Sequence, residues 1–205
     1  MSAGKYHITS SCIISGNTVY KNEVQVFGQP GTNPGDFLLA VYQHFELNYP
    51  KFYKMDSLSK LGWLASEVLL KDCFDKNKYE HEAIGLVLTN ANSSLDADLK
   101  YWDSVHDMAS PSLFVYTLPN IVIGEICIRN GFKGEDALYI TPQFDAVFLQ
   151  QQVNYLLDND ILNACICGWV DMIGGDYKAA LFLVEEDEDG IEFEIEELNR
   201  IFNIT

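Results

Sequence analysis

Five cysteines and four histidines carry most of the nucleophilic, redox and metal-ligating potential of this sequence. The cysteines, Cys12, Cys73, Cys127, Cys165 and Cys167, lie mostly inside apolar runs. An odd, scattered set of this kind reads as buried, reduced core thiols and not as a disulfide framework. Cys165-Ile-Cys167 has a spacing that suggests a metal or redox pair. It sits in Ile161-Leu-Asn-Ala-Cys-Ile-Cys-Gly168, which reads as a buried strand with alternate side chains on one face. No His or Cys pair elsewhere completes a ligand set, so no metal and no cofactor is expected. His7, His44, His81 and His106 match no catalytic spacing and read as surface or core histidines.

The elements that must position these residues alternate between strand and helix. Tyr6–Ser15 is β-rich and ends at the turn pair Gly16-Asn17, and Gln29–Gly35 is a turn-rich loop. Asp56–Leu70 has helical spacing, with Asp56 as N-cap. Ala83–Thr89 is a continuous apolar run, typical of a strand covered on both faces. Helices are expected over Leu95–Met108 and over Leu118–Asn130, the second opened by Pro119 and closed by Gly131. Ala137–Thr141 is a short strand. Thr141-Pro142 offers a cap and first-position proline for a helix to about Leu157, and strands Ile161–Gly168 and Lys178–Glu185 follow. The fold class is therefore α/β, with a mixed five-stranded sheet and helices on both faces, in one domain over 1–205.

Charge restricts the partners. The 205 residues carry 30 acidic against 13 basic side chains, a formal charge of −17, which excludes nucleic acid or an anionic membrane surface as the main partner. Nine carboxylates and no base fall between Glu185 and Glu197, leaving 21 acids against 13 bases elsewhere, so residues 185–205 form an acidic tail. It reads as a solvated tail or as an extra strand or helix covering apolar surface, since Ile191-Glu-Phe-Glu-Ile195 alternates. The start lacks the apolar run of a signal peptide, and no stretch approaches the length of a membrane span, so a cytoplasmic location is expected. The glycosylation-like Asn92-Ser-Ser and Asn203-Ile-Thr are empty matches in that compartment.

Ser110-Pro-Ser-Leu-Phe-Val-Tyr-Thr-Leu-Pro-Asn120, Gly124 and Gly131-Phe-Lys-Gly134 resemble the β-ketoacyl synthase family of condensing enzymes, and the pattern continues from Gly134 without a gap. The resemblance covers nearly the whole chain but only half of a synthase, the N-terminal half of the thiolase-like fold. Its departures bear on function. Gln143 stands where the family has its nucleophilic Cys, Phe144 and Asp145 replace the small residues that follow, and Glu135 replaces a Pro. A thioester-forming nucleophile needs a thiolate, which an amide cannot supply. The family's two catalytic histidines belong to the half that has no counterpart in this sequence.

The replacement resembles that of chain-length factors, the inactive partners of type II synthases, and the short length resembles synthase-like proteins of aryl polyene and flexirubin-type clusters. The resemblance implies a non-catalytic subunit paired with a full-length β-ketoacyl synthase, the acyl carrier protein docking on that partner because a −17 subunit repels an acidic carrier. It implies a dimer through the strand Ala137, Leu138, Tyr139, Ile140 and Thr141, with Ser112–Ile128 close by. Phe114, Tyr116, Leu118 and Phe144, with Asn120 opening the buried helix, are the candidate walls of an acyl tunnel, although packing alone explains them equally well. A homodimeric acyl-binding protein and a malonyl decarboxylase using Gln143 remain open alternatives.

Overall fold

The computed structural model describes residues 5–75, 77–106, 108–187 and 189–205, so the helix expected over 95–108 and the acidic run each contain a residue outside the described ones. Strand β1 (His7–Ser15) turns at Gly16-Asn17 (φ 55° and 60°) into β2 (Thr18–Lys21). A second tight turn at Asn22-Glu23 (φ 47° and 68°) leads to β3 (Val24–Gly28). Left-handed backbone at both central residues matches the twist of the flanking strands. Helix α1 (Pro34–His44) is capped by Asn33, whose Oδ1 accepts from the Asp36 amide at 3.0 Å. Helix α2 (Ser57–Leu70) is capped by Asp56 in the same way, as expected. Strand β4 (Ile84–Asn90) is buried along its whole length.

Helices α3 (Leu95–Val105), α4 (Pro111–Val115) and α5 (Ile121–Asn130) connect β4 to β5 (Asp136–Ile140). Gly131 ends α5 at φ 78°, its amide 2.7 Å from the Cys127 carbonyl, a conformation that favours glycine. Helix α6 (Ala146–Asp158) then leads to β6 (Ala164–Ile173), β7 (Asp176–Glu185), β8 (Ile191–Glu192) and α7 (Ile195–Phe202).

The sheet order is β3-β2-β1-β7-β6-β4-β5, with β8 beside the start of β1. The β4–β5 and β4–β6 pairs are parallel and the others antiparallel. One face packs against α1, α2, α3 and α5, and the other against α6 and α7. The mixed α/β fold with helices on both faces is therefore as expected. Among the described residues the sheet has eight strands, not five: β2, β3 and β8 are additional. The Asn22-Glu23 turn has no glycine to mark it, and β8 is only two residues long.

Three boundaries also differ. Helix α6 begins at Ala146 with Asp145 as its cap, four residues later than expected. The Thr141 amide instead continues the sheet, donating to the Asn90 carbonyl at 2.8 Å, and its hydroxyl donates to Gln143 O at 3.0 Å. Helix α5 begins at Ile121, because Leu118 closes the turn that follows α4. Strand β6 begins at Ala164, because the Ile161 and Leu162 amides close the end of α6 on Leu156 O. Among the cysteines, Cys12, Cys165 and Cys167 are buried and Cys127 is partly so, but Cys73 is exposed just beyond α2.

The tail forms a cover. Phe193, Leu198 and Ile201 are buried against the face that holds Leu149, Val153 and Phe182. Each such side chain stabilises by about 1.5–3 kcal/mol relative to exposure. The carboxylates of α7 fall between these apolar positions, which gives the helix one wet and one dry side.

Candidate functional site

The parallel strands β4 and β5 are neighbours, yet the chain leaves β4 toward α3–α5 on one face and leaves β5 toward α6 on the other. Right-handed crossovers require this split when one connection steps outward and the next steps back. The carboxyl ends of such a strand pair are the usual ligand position in open α/β sheets. At these ends lie the turn after Asn90 and the loop Thr141–Asp145, which carries Gln143.

The turn after Asn90 is fixed by polar side chains. Asn90 is fully buried and bonds both ways to Ser93, accepting from its amide at 3.1 Å and donating to its carbonyl at 3.0 Å. Asp171 on β6 accepts from the amides of Ala91 and Asn92 at 3.2 and 3.0 Å and from the Asn92 side chain at 2.7 Å. At the end of the loop, Asp145 caps α6 through the Phe148 amide at 3.0 Å. Tyr139 holds β5 to α6, its hydroxyl donating to Gln152 Oε1 at 3.1 Å and its ring edge-on to Phe148 at 4.9 Å.

Gln143 is exposed in the bend before α6, so the position that resembles a catalytic cysteine is on the surface of this chain. The buried thiols are held in their neutral form. Burial pushes Cys165 up to about 12 and moves Cys167 in the same direction. His7 opens β1 and His81 precedes β4, at the end of the sheet opposite this loop. His81 Nδ1 is 2.6 Å from Gly131 O. His44 packs on Phe27, and His106 meets Trp102 edge-on.

The expected wall residues are divided by the sheet. Tyr116 is buried on the α5 face, its hydroxyl donating to Glu125 Oε1 at 3.2 Å. Burial first, and then the Glu125 charge, raise its phenol well above the ordinary value. The Lys51 ammonium lies 2.7 Å from Glu125 Oε2, out of line for a hydrogen bond. Phe114 and Leu118 are 56% and 54% exposed, and Asn120 stands before α5 without a side-chain cap bond. Phe144 lies on the opposite face, stacked on Phe202 of α7 at 4.1 Å and 4°. Along β5, Leu138 packs on the α5 face and Tyr139 on the α6 face, while Ile140 is 51% exposed.

Three solved structures share this arrangement. The ishigamide ketosynthase/chain length factor superposes with a TM-score of 0.64 at 15% identity, over 92% of this chain and 64% of that one. A type II ketosynthase in complex with its acyl-carrier protein gives 0.61 at 14%, over 90% and 63%. A ketosynthase in complex with its chain length factor, from Xenorhabdus doucetiae, gives 0.60 at 11%, over 97% and 90%. The fold is the ketosynthase fold. This chain spans less than two thirds of the first two chains and nearly matches the third in length. No family model and no curated protein matches the sequence. Phe202, which stacks on Phe144, Trp169, which meets Phe202 edge-on, and Asp171, which holds the turn after Asn90, are the residues of this region that sequence spacing missed. The helical spacing of Leu198, Ile201 and Phe202 is the signal in the sequence that points to Phe202.

No helix among the described residues is long and apolar enough to cross a membrane.

Proposed function

We propose that this chain is a non-catalytic, chain-length-factor-like subunit that pairs with a full-length β-ketoacyl synthase in type II fatty acid or polyketide synthesis, of which aryl polyene and flexirubin-type pathways are examples, in the cytoplasm. The observation that carries the proposal is the open side of β5. Among the described residues this strand pairs with β4 alone and leaves one edge of the sheet unpaired. On the connection from β4 to β5, α3, α4 and the turn after α4 expose Leu99, Trp102, Val105, Phe114, Val115 and Leu118, with Trp102 65% exposed. An unpaired strand edge and exposed large apolar side chains each mark an association site. Two of the structures sharing the fold are described as ketosynthase and chain length factor together, and one of them matches a chain of this length.

In this reading the partner's strand pairs along β5, and Phe114 and Leu118 border the tunnel that receives the growing chain. The exposed amide of Gln143 cannot carry an acyl group, so the partner supplies nucleophile and histidines. A charge of −17 on each copy opposes self-pairing and repels an acidic carrier, leaving carrier docking to the synthase.

Size exclusion with light scattering, on this chain mixed with a full-length ketosynthase from the same organism, tests the reading. One co-eluting complex with altered synthase products is expected, and Ile140→Lys should weaken it at least about 100-fold by placing an ammonium in the joint. Separate elution with unchanged products overturns the proposal, and a stable self-dimer would instead favour a homodimeric acyl-binding protein.

A further inference from the structure

We propose that helix α7 is a strap that sets the geometry of the Gln143 loop, with Phe202 as the positioning residue. The proposal goes beyond the partner reading, because it concerns the isolated chain. Residues 141–145 have little structure of their own. The Thr141 amide ends the β-ladder, and Asp145 supplies the α6 cap. Between them Phe144 is held by the near-parallel stack on Phe202. Five residues lose substantial chain entropy when ordered, so an outside contact must offset that loss.

Phe202 is well placed to provide it. Its ring meets Trp169 of β6 edge-on at 6.4 Å and 84°, and the Lys178 ammonium lies 4.3 Å from its centroid. The helix that carries it is fixed at its other end, where the Phe193 amide donates to Tyr6 O at 2.9 Å and Gln150 donates to Phe193 O at 2.7 Å. In its last turn, Arg200 is ion-paired with both Glu23 and Glu197. Arg200 is the one base in residues 185–205, so the acidic segment has a single cationic anchor, and that anchor reaches the β2–β3 turn. A continuous line of contacts thus runs from Glu23 through Arg200, Phe202 and Phe144 to the loop bearing Gln143.

Amide hydrogen exchange on the full chain tests this, comparing peptides covering 141–149 with peptides covering 164–173 of β6. In Phe202→Ala the 141–149 amides should exchange about tenfold faster while β6 stays as in wild type. Arg200→Ala should give a smaller acceleration of the same amides, and Phe202→Tyr, which keeps the ring, should restore wild-type exchange. If Phe202→Ala does not fold, Phe202→Leu keeps the bulk, removes the stack, and should show the same local effect. Unchanged exchange at 141–149, or equal acceleration there and in β6, overturns the strap. Neither result bears on whether the chain pairs with a synthase.

Discussion

Leu198→Ala measures how much of the fold depends on the C-terminal segment. Leu198 is fully buried within the apolar cluster shared by α6, α7 and the sheet. Truncating a buried leucine removes its transfer free energy and leaves a cavity, together about 2.5–4 kcal/mol where neighbours cannot close in. Leu149 and Val153 are anchored in α6 and Phe182 in β7, so collapse into the space is restricted. Against a total stability of roughly 5–15 kcal/mol, this is a large fraction. At about 2–4 °C per kcal/mol for a chain of this size, the melting midpoint should fall by about 5–15 °C. Urea unfolding followed by tryptophan fluorescence reads the change, with an unaltered slope showing that surface exposure on unfolding is the same. Glu196→Ala, on the wet side of the same helix, is the control and should stay within about 0.5 kcal/mol. If the two variants unfold at the same urea concentration, α7 is a solvated tail and the reasoning fails.

Two further outcomes follow from the sheet. Gly168 sits in β6 at φ 146°, and a Cβ there would come within 2.0 Å of Ala180 O, so Gly168→Ala should destabilise by about 3–5 kcal/mol, measured by the same unfolding; a loss below 1 kcal/mol would contradict the geometry. Native protein treated with iodoacetamide at pH 8 should gain one adduct, at exposed Cys73. Burial holds Cys127 and Cys165 at about 12, leaving roughly one thiolate in 10,000 at each, and raises Cys12 and Cys167 as well. Intact mass would show a second fast adduct if that assignment were wrong.

What the sequence revealed and what it concealed have physical causes. Strands β4, β6 and β7 are apolar on both faces because helices cover both, so each reads as an uninterrupted run. Helices α2 and α5 carry local end signals, Asp56 and Gly131, that act within a few residues. Helix α1 was concealed because Asn33-Pro34-Gly35 has turn composition, although it serves as a cap and first turn. Helix α6 starts later than its sequence signals because Thr141 answers to Asn90, a residue 51 positions away, and not to its own helix. For the candidate site, the position of Gln143 after β5 was legible. That Tyr116 and Phe144 lie on opposite faces was not, because it depends on two crossovers and not on any spacing. Helix α3 shows the same limit: its periodicity marks a helix, but Leu99 and Trp102 face outward.

The placement of β1 also governs how the chain can be made. Ser15 pairs with Lys178 and His7 with Glu185, while β8 adds a second late partner at His7 and Ile8. Emerging from a ribosome, the N-terminal meander is available early, but one side of β1 stays open until about 170 more residues have been added. At about 5–20 residues per second that interval is roughly 10–30 s, long compared with hairpin formation. An interior strand of the finished sheet is thus an adhesive edge during most of synthesis. Expression yield should therefore respond to chaperones that shield nascent strands, and a tag at the start of the chain should be less harmful than a stop codon near its end.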